Sequence, residues 1–336
     1  MKDYSSIVIS SKIKLARNLI GFEFPSMLDG DEGIKVLNKI ADVLLKIDNK
    51  FKLYKVKTLP ELDIHIMNEK RLISNKLIDA CGYGAVVLSD DESVSIMINE
   101  TDHICEQCTI KGLNLISAYD KINEIDNQIL SNLDIAYDDT IGFLTSNIND
   151  VGTGMRASIT LFLPALTLSN KIREIISSLS NQGIEMTGFS DDDLDNRAYT
   201  YNVFNTQTIG KKETDYVVRI TECVLKICEM EIRARTELLS INNIDDVKDK
   251  IFRAWGILTN CYKISVSETQ KLLGELKMGV ALDLIRFKDV NFIDQVMIDI
   301  LPYSLTKISG SKVAISDLDN FRATFLSNLL KSKRIK

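Results

Sequence analysis

The sequence has little of what usually ties a chain to a membrane or divides it into modules. No apolar run reaches the ~18 residues needed to cross a bilayer. The start "MKDYSSIVIS" lacks the charged, apolar and small-residue blocks of a secretory leader. A cytoplasmic protein without a membrane span is therefore expected. Only 4 prolines interrupt the 336 residues, with no Gly/Ser-rich linker, low-complexity tract or internal repeat. Histidine is scarce at 2, and 6 cysteines at irregular spacing do not make a secreted disulfide framework, so reduced thiols are expected. A formal charge of −6 argues against a surface built mainly to hold nucleic acid, and the basic tail "KSKRIK" reads as a solvated end.

What is present is globular. The chain is 45% hydrophobic, and its length suggests two domains at ~100–200 residues each. Up to about residue 210 the patterns mix. "SIVIS" (Ser6–Ser10) reads as a strand, "AVVLS" and "SVSIMI" as a hairpin, and "IGFLTS" and "ITLFLP" as further strands. Leu113 to Leu133 carries Leu115, Ile116, Tyr119, Ile122, Ile125, Ile129 and Leu130 at helical spacing. A second helix is expected from Pro164 to Gly183, and a long one from Thr214 with Val217, Ile220, Val224, Ile227 and Cys228 on one face. Beyond about residue 241 strand signals fade, and Asn243, Ser267 with Gln270, and Ser316 read as helix caps. The expected fold is α+β with a largely antiparallel sheet over residues 1–240, followed by an all-helical domain over 241–336.

Three stretches carry chemistry. "NETDHICEQC" (Asn99–Cys108) offers His103, Cys105 and Cys108 as metal ligands, but a structural zinc site needs four, and no second C-x-x-C exists. Its other readings are a redox pair or two buried, unreactive thiols. "NINDVGTGMRAS" (Asn147–Ser158) places Gly152, Thr153 and Gly154 ahead of Arg156. The glycines would either bring backbone N–H groups to an anion or simply make a tight turn. In "SSKIKLARN" (Ser10–Asn18), Lys12 and Lys14 would point the same way along a strand, facing either a phosphate or solvent.

Taken in order, these stretches resemble the ATP:guanidino phosphotransferase superfamily, and within it the bacterial protein arginine kinases. That family carries S-S-R-x-R-x-A-R-N, then N-E-E-D-H-x-R, then T-S-C-P-T-N-x-G-T-G-x-R-A-S before a strand ending L-P-A-L, then R-G-x-x-G-E. The counterparts here are "SSKIKLARN", "NETDHIC", "TSNINDVGTGMRAS", "LPAL" and "TGFSDD". The likeness implies a creatine kinase-like catalytic fold, with an antiparallel sheet flanked by helices, and a C-terminal helical domain for dimerisation. It implies Mg-ATP bound through Ser11, Lys12, Lys14, Arg71, Arg156 and Ser158, with Glu100 and Asp192 orienting an acceptor arginine. It also implies partners: a second copy or a related kinase subunit, an activator protein, or a Clp-type protease and repressor system, with neither membrane nor direct nucleic acid contact.

The departures fall on the chemistry. Family arginines are replaced by Lys12, Lys14, Cys105 and Thr187, leaving Arg156. The acid/base glutamate is Thr101, the active-site cysteine is Asn147, and Arg71 stands where a histidine lies near the adenine. At a C-terminal phosphoarginine site, Asp319 and Arg322 are kept but the leading arginine is Leu318. A charge-assisted hydrogen bond is worth ~1.5–3 kcal/mol, and an acid/base group about 10²–10⁴ in rate. A catalytically impaired kinase with a binding or regulatory role is expected. The alternative is an active kinase with a remodelled site.

Overall fold

The architecture is given by a computed structural model, which describes residues 4–80, 82–188, 198–240, 244–289, 292–310 and 315–335. The chain begins with β1 (Val8–Arg17), α1 (Gly30–Ile47), β2 (Lys52–Lys55), α2 (Glu61–Glu69), α3 (Asn75–Asp79), β3 (Ala85–Leu88), β4 (Val94–Ile98) and β5 (Ile104–Lys111). It continues through α4 (Leu115–Asn132), the small hairpin β6 (Tyr137–Asp138) and β7 (Gly142–Phe143), β8 (Met155–Phe162), α5 (Pro164–Leu168) and α6 (Ile172–Ser180). Then come β9 (Ile184–Gly188), β10 (Thr200–Asn205) and α7 (Glu213–Ser240), followed by α8 (Ile244–Asn260), α9 (Val266–Ala281), α10 (Phe292–Asp299), α11 (Pro302–Ile308) and α12 (Leu318–Lys333).

The main sheet has the order β2-β3-β4-β5-β1-β8-β10-β9, every neighbour antiparallel. Strand β1 lies inside it because its alternation is two-sided. Ile13 and Leu15 are buried on one face, whereas Lys12 and Lys14 stand on the other. The first face, with Cys108 of β5 and Met155, Ala157 and Ile159 of β8, packs under α1, α4 and α7 through residues such as Ile40, Ile122 and Val224. Each such side chain contributes about 1.5–3 kcal/mol of burial.

Among the described residues, the second face is covered by apolar clusters at its ends. Val86, Leu88 and Met97 join Val56, Leu72 and Leu77 beneath α2 and α3. Phe162 and Tyr199 enter the core of the helical part. The middle, where Lys12, Lys14 and Arg156 lie, is left without such a cover, and that gap positions the site.

The helical part is anchored to both ends of this face. Glu69 accepts from the N–H groups of Tyr303 (2.9 Å) and Ser304 (2.7 Å) at the start of α11, His65 stacks on Tyr303 at 4.1 Å, and Tyr199 donates to Glu275 at 2.6 Å. The "LPAL" segment is held by Glu231 of α7, whose carboxylate accepts from Ala165 and Leu166 N–H at 3.1 and 3.0 Å.

Some local expectations change. The helix expected from Pro164 to Gly183 breaks into α5 and α6, because Asn170 takes a left-handed φ of 57°. The "IGFLTS" strand shrinks to Gly142–Phe143. The cap of α9 is Ser265, accepting from Glu268 N–H, rather than Ser267. Ser316 sits in the 3-10 turn Ile315–Asp317 ahead of α12 instead of capping it, and Asn243 lies outside the described residues.

Candidate functional site

The register of the sheet assembles the site. Lys14 of β1 is opposite Gln107 of β5 and Arg156 of β8, while Lys12 is opposite Thr109 and Ser158. Cys105 is opposite Ala16, and Thr187 is two strands from Thr160 through Asn202. Because cross-strand partners share a face, Lys12, Lys14, Cys105, Arg156, Ser158 and Thr187 all lie on the open one. Ser11 does not join them. Its buried hydroxyl donates to Gly112 O (2.8 Å) and accepts from Asn114 N–H (2.9 Å) on the opposite face, tying β1 to the turn before α4. Asp192 lies outside the described residues.

Arg71 reaches this face from the turn after α2, where it takes a φ of 61°. Gln107 Nε2 donates to the carbonyls of Arg71 (2.9 Å) and Leu72 (3.1 Å), and Ser95 Oγ donates to Leu72 O, so two strands pin the turn. Burial pushes the Lys12 ammonium well below the usual lysine range, and the nearby charges of Lys14 and Arg71 add to this. Mutually repelling cations gathered on a partly dry sheet surface suit a phosphate group.

The glycine-rich turn has a different job. Gly152 N–H donates to Phe143 O (3.2 Å) and Thr153 N–H to Thr208 O (2.9 Å), so neither faces an anion. Gly154 has φ +63°, and a Cβ there would come within 2.7 Å of Ala16 O. Arg17 locks the turn from behind. Its Nη1 donates to Thr153 O (2.9 Å), Nε and Nη2 bind Asp126 at 3.1 and 2.7 Å, and its guanidinium lies 3.6 Å from the Phe143 ring centroid.

The residues that the resemblance assigns to the acceptor lie on the turn between β4 and β5. Burial alone would raise the Glu100 pKa, but hydrogen bonds from Ser74 and the Thr101 N–H hold it below the usual range, assisted by Lys14. Its oxygens are thus already engaged. Thr101 accepts from Lys76 at 3.3 Å and offers no titratable group. Asp102, raised by burial, accepts from Asn18 (2.6 Å) and Ser146 N–H (2.7 Å), joining this turn to the segment carrying Asn147. Asn147 is tied to Asn149 N–H and to Asp150 at 3.1 Å, and a carboxamide supplies no thiolate.

The metal and redox readings fail on geometry. Cys105 and Cys108 are an odd number of residues apart on one strand and face opposite sides of the sheet. His103 is buried and neutral, its pKa pushed down to about 4 by burial, with Nδ1 accepting from Leu19 N–H and Nε2 facing Glu23 O. Burial, reinforced by Glu100 and Asp102, raises the Cys105 thiol well above its ordinary range, and Cys108 is pushed up to about 11. Among the described residues no group of three His, Cys, Asp or Glu side chains could hold a metal, and the described cysteines are free. No described helix is long and apolar enough to cross a membrane.

The C-terminal pair is also committed. Arg322 is 1% exposed and donates to the carbonyls of Ile300 and Ile264, both at 2.9 Å, while pairing with Asp319; Leu318 is buried as well. Through these contacts Arg322 clamps α12 to the start of α9 and the end of α10. One residue beside the cations was not singled out from the sequence. Asp150 binds Arg156 at 2.9 Å, and its signal was present, because the family pattern has asparagine there.

Comparison with known proteins agrees with this geometry. The family ATP:guanido phosphotransferase, C-terminal catalytic domain, matches residues 34–234. Protein-arginine kinase McsB C-terminal domain matches residues 244–336. A protein-arginine kinase of Clostridium tetani is 34% identical over 330 residues, covering 98% of this chain and 97% of that one. One from Geobacillus sp. (strain WCH70) is 33% identical over 336 residues, covering 99% and 92%. Among solved structures, the substrate-free duplicated taurocyamine kinase from Schistosoma mansoni matches with a TM-score of 0.61 at 23% identity, over 68% of this chain and 34% of that chain. Lombricine kinase matches with a TM-score of 0.62 at 19% identity, over 70% and 69%. These two likenesses establish the guanidino-kinase fold, and the full-length relatives narrow it: the chain belongs to the ATP:guanido phosphotransferase family, in its protein-arginine kinase branch.

Proposed function

We propose that this chain is a protein-arginine kinase homologue with impaired phosphoryl transfer, acting as a regulator or partner in protein-arginine phosphorylation. One observation carries the reading. Of the positions where the family places phosphate-gripping arginines, only Arg156 keeps a guanidinium, and that one is already paired with Asp150. The acceptor side points the same way, since Thr101 and Asn147 supply neither the base nor the thiol, and Glu100 is bound internally.

Lys12, Lys14 and Arg71 would still hold the phosphates of Mg-ATP weakly, as point charges rather than several guanidinium forks. The partners that fit this role are a second copy or a related kinase subunit, an activator protein, or a Clp-type protease and repressor system in the cytoplasm.

A second reading, an active kinase with a remodelled site, is favoured by one feature. Burial lowers the Lys12 pKa and Lys14 and Arg71 lie near enough to add to it, while Glu100 stays ionised. Calorimetric titration with Mg-ATP separates the two. Absence of binding heat below millimolar nucleotide supports impairment, and micromolar affinity overturns it in favour of the remodelled site.

A further inference from the structure

Arg156 has a defined neighbour on three sides. Its Nη2 donates to Asp150 Oδ1 at 2.9 Å, its Cζ lies 5.3 Å from the Phe204 ring centroid, and Lys14 is its cross-strand neighbour. Asp150 is itself fixed in place. Asn147 Nδ2 donates to its other oxygen at 3.1 Å, and Asp150 N–H donates to Asn147 O at 2.9 Å. Thr208 Oγ1 reaches the flanking carbonyls of Asn149 (3.1 Å) and Val151 (2.6 Å). The pair is half-buried, with side chains 38% and 21% exposed. A carboxylate binds a guanidinium through the same oxygen geometry as a phosphate. Asp150 therefore sits where a phosphate oxygen would otherwise meet Arg156, at the rim of the cation cluster.

We infer that Asp150 is an intramolecular counterion that sets the anion affinity of this face, occupying Arg156 and opposing any polyphosphate that approaches Lys14 and Lys12. A polyphosphate must displace the carboxylate from Arg156 and then lie beside its charge. Both effects weaken binding, and both vanish when the carboxylate becomes a neutral amide. The inference deepens the reading of the face as a weakened nucleotide site and rests on it.

The test is calorimetric titration of Mg-ATP and of inorganic tripolyphosphate into the full chain at fixed ionic strength. The proteins are the unaltered chain, Asp150→Asn, Asp150→Ser, Arg156→Gln and the Asp150→Asn/Arg156→Gln double variant, each checked for an unchanged melting transition. Removing the carboxylate is expected to tighten both ligands on the order of ten-fold, equivalent to ~1.4 kcal/mol. In the Arg156→Gln background that gain is expected to shrink, because only the charge repulsion remains to be removed. Unchanged or weaker binding in Asp150→Asn and Asp150→Ser overturns the inference, as does a gain of undiminished size after loss of Arg156. If Asp150→Asn unfolds, Asp150→Ser decides by the same criteria. The affinity of the unaltered chain tests the impaired-kinase reading, whereas the ratio between variant and unaltered chain tests Asp150, so the two fail separately.

Discussion

Replacing Glu106 with leucine should stabilise the protein, and increasingly so as pH rises. Glu106 lies on the helix-covered face of β5, 1% exposed, with no donor group reaching its carboxylate oxygens, and in its protonated form it hydrogen-bonds to Asp126. Burial raises its pKa well above the ordinary carboxyl value, and the Asp126 charge adds to this. The native state therefore keeps a proton that the unfolded chain releases above its ordinary value of ~4.3. The stability of the protonated form is fully present below that value and is lost as pH climbs towards the folded one. Each pH unit in that window removes about 1.4 kcal/mol. Glu213 and Glu231 are raised in the same sense, so the readout is the difference between the unaltered protein and Glu106→Leu rather than either profile alone. Leucine has no proton to lose, so its advantage over the unaltered protein grows by about 1.4 kcal/mol per pH unit across that window. Urea unfolding from about pH 5 to pH 8 is the assay. The gain should be smallest at the acid end and grow with pH, and parallel profiles for the two proteins would refute the reasoning.

Three further outcomes follow from the site. Cys105→Arg restores a guanidinium beside Lys14 and Glu100, and should raise Mg-ATP affinity on the order of ten-fold, near the lower end of a ~1.5–3 kcal/mol charge-assisted bond; unchanged affinity in a folded variant argues against that position facing the phosphates. Tripolyphosphate binding should weaken as pH rises through the depressed Lys12 value, because the anion prefers the protonated ammonium, and Lys12→Gln should flatten that profile. Arg322→Met leaves Asp319 and two carbonyls without their donor and should cost roughly 3–5 kcal/mol in thermal or urea unfolding, while phosphoarginine titrated into the unaltered chain gives no saturable heat through that buried side chain.

Much of the fold was legible because the strands and long helices carry clean periodicity. The alternation through Ile13 and Leu15 placed Lys12 and Lys14 together, and the Ile220, Val224 and Ile227 stripe marked α7. What was hidden depends on tertiary contact. Glu106 in "CEQC" reads as a surface residue until the register with Leu15 turns it inward. The burial of Arg322 depends on carbonyls beside α9 and α10 that the local sequence does not announce. The break at Asn170 needs a left-handed residue that helical spacing does not announce. The C-x-x-C cluster misleads because strand parity, rather than sequence proximity, decides which side chains meet. Asp150 was visible as a departure, yet its consequence required the turn that brings it to Arg156.

The central claim is that the fold persists while phosphoryl transfer has been impaired. Its most direct measurement is phosphoarginine formation on an arginine-rich protein with Mg-ATP, followed by mass spectrometry under conditions that preserve the phosphoramidate bond, with a protein-arginine kinase relative run in parallel. The expected yield lies at least about 10²-fold below the relative's, as loss of an acid/base group alone implies. Repeated turnover at a comparable rate would contradict the account.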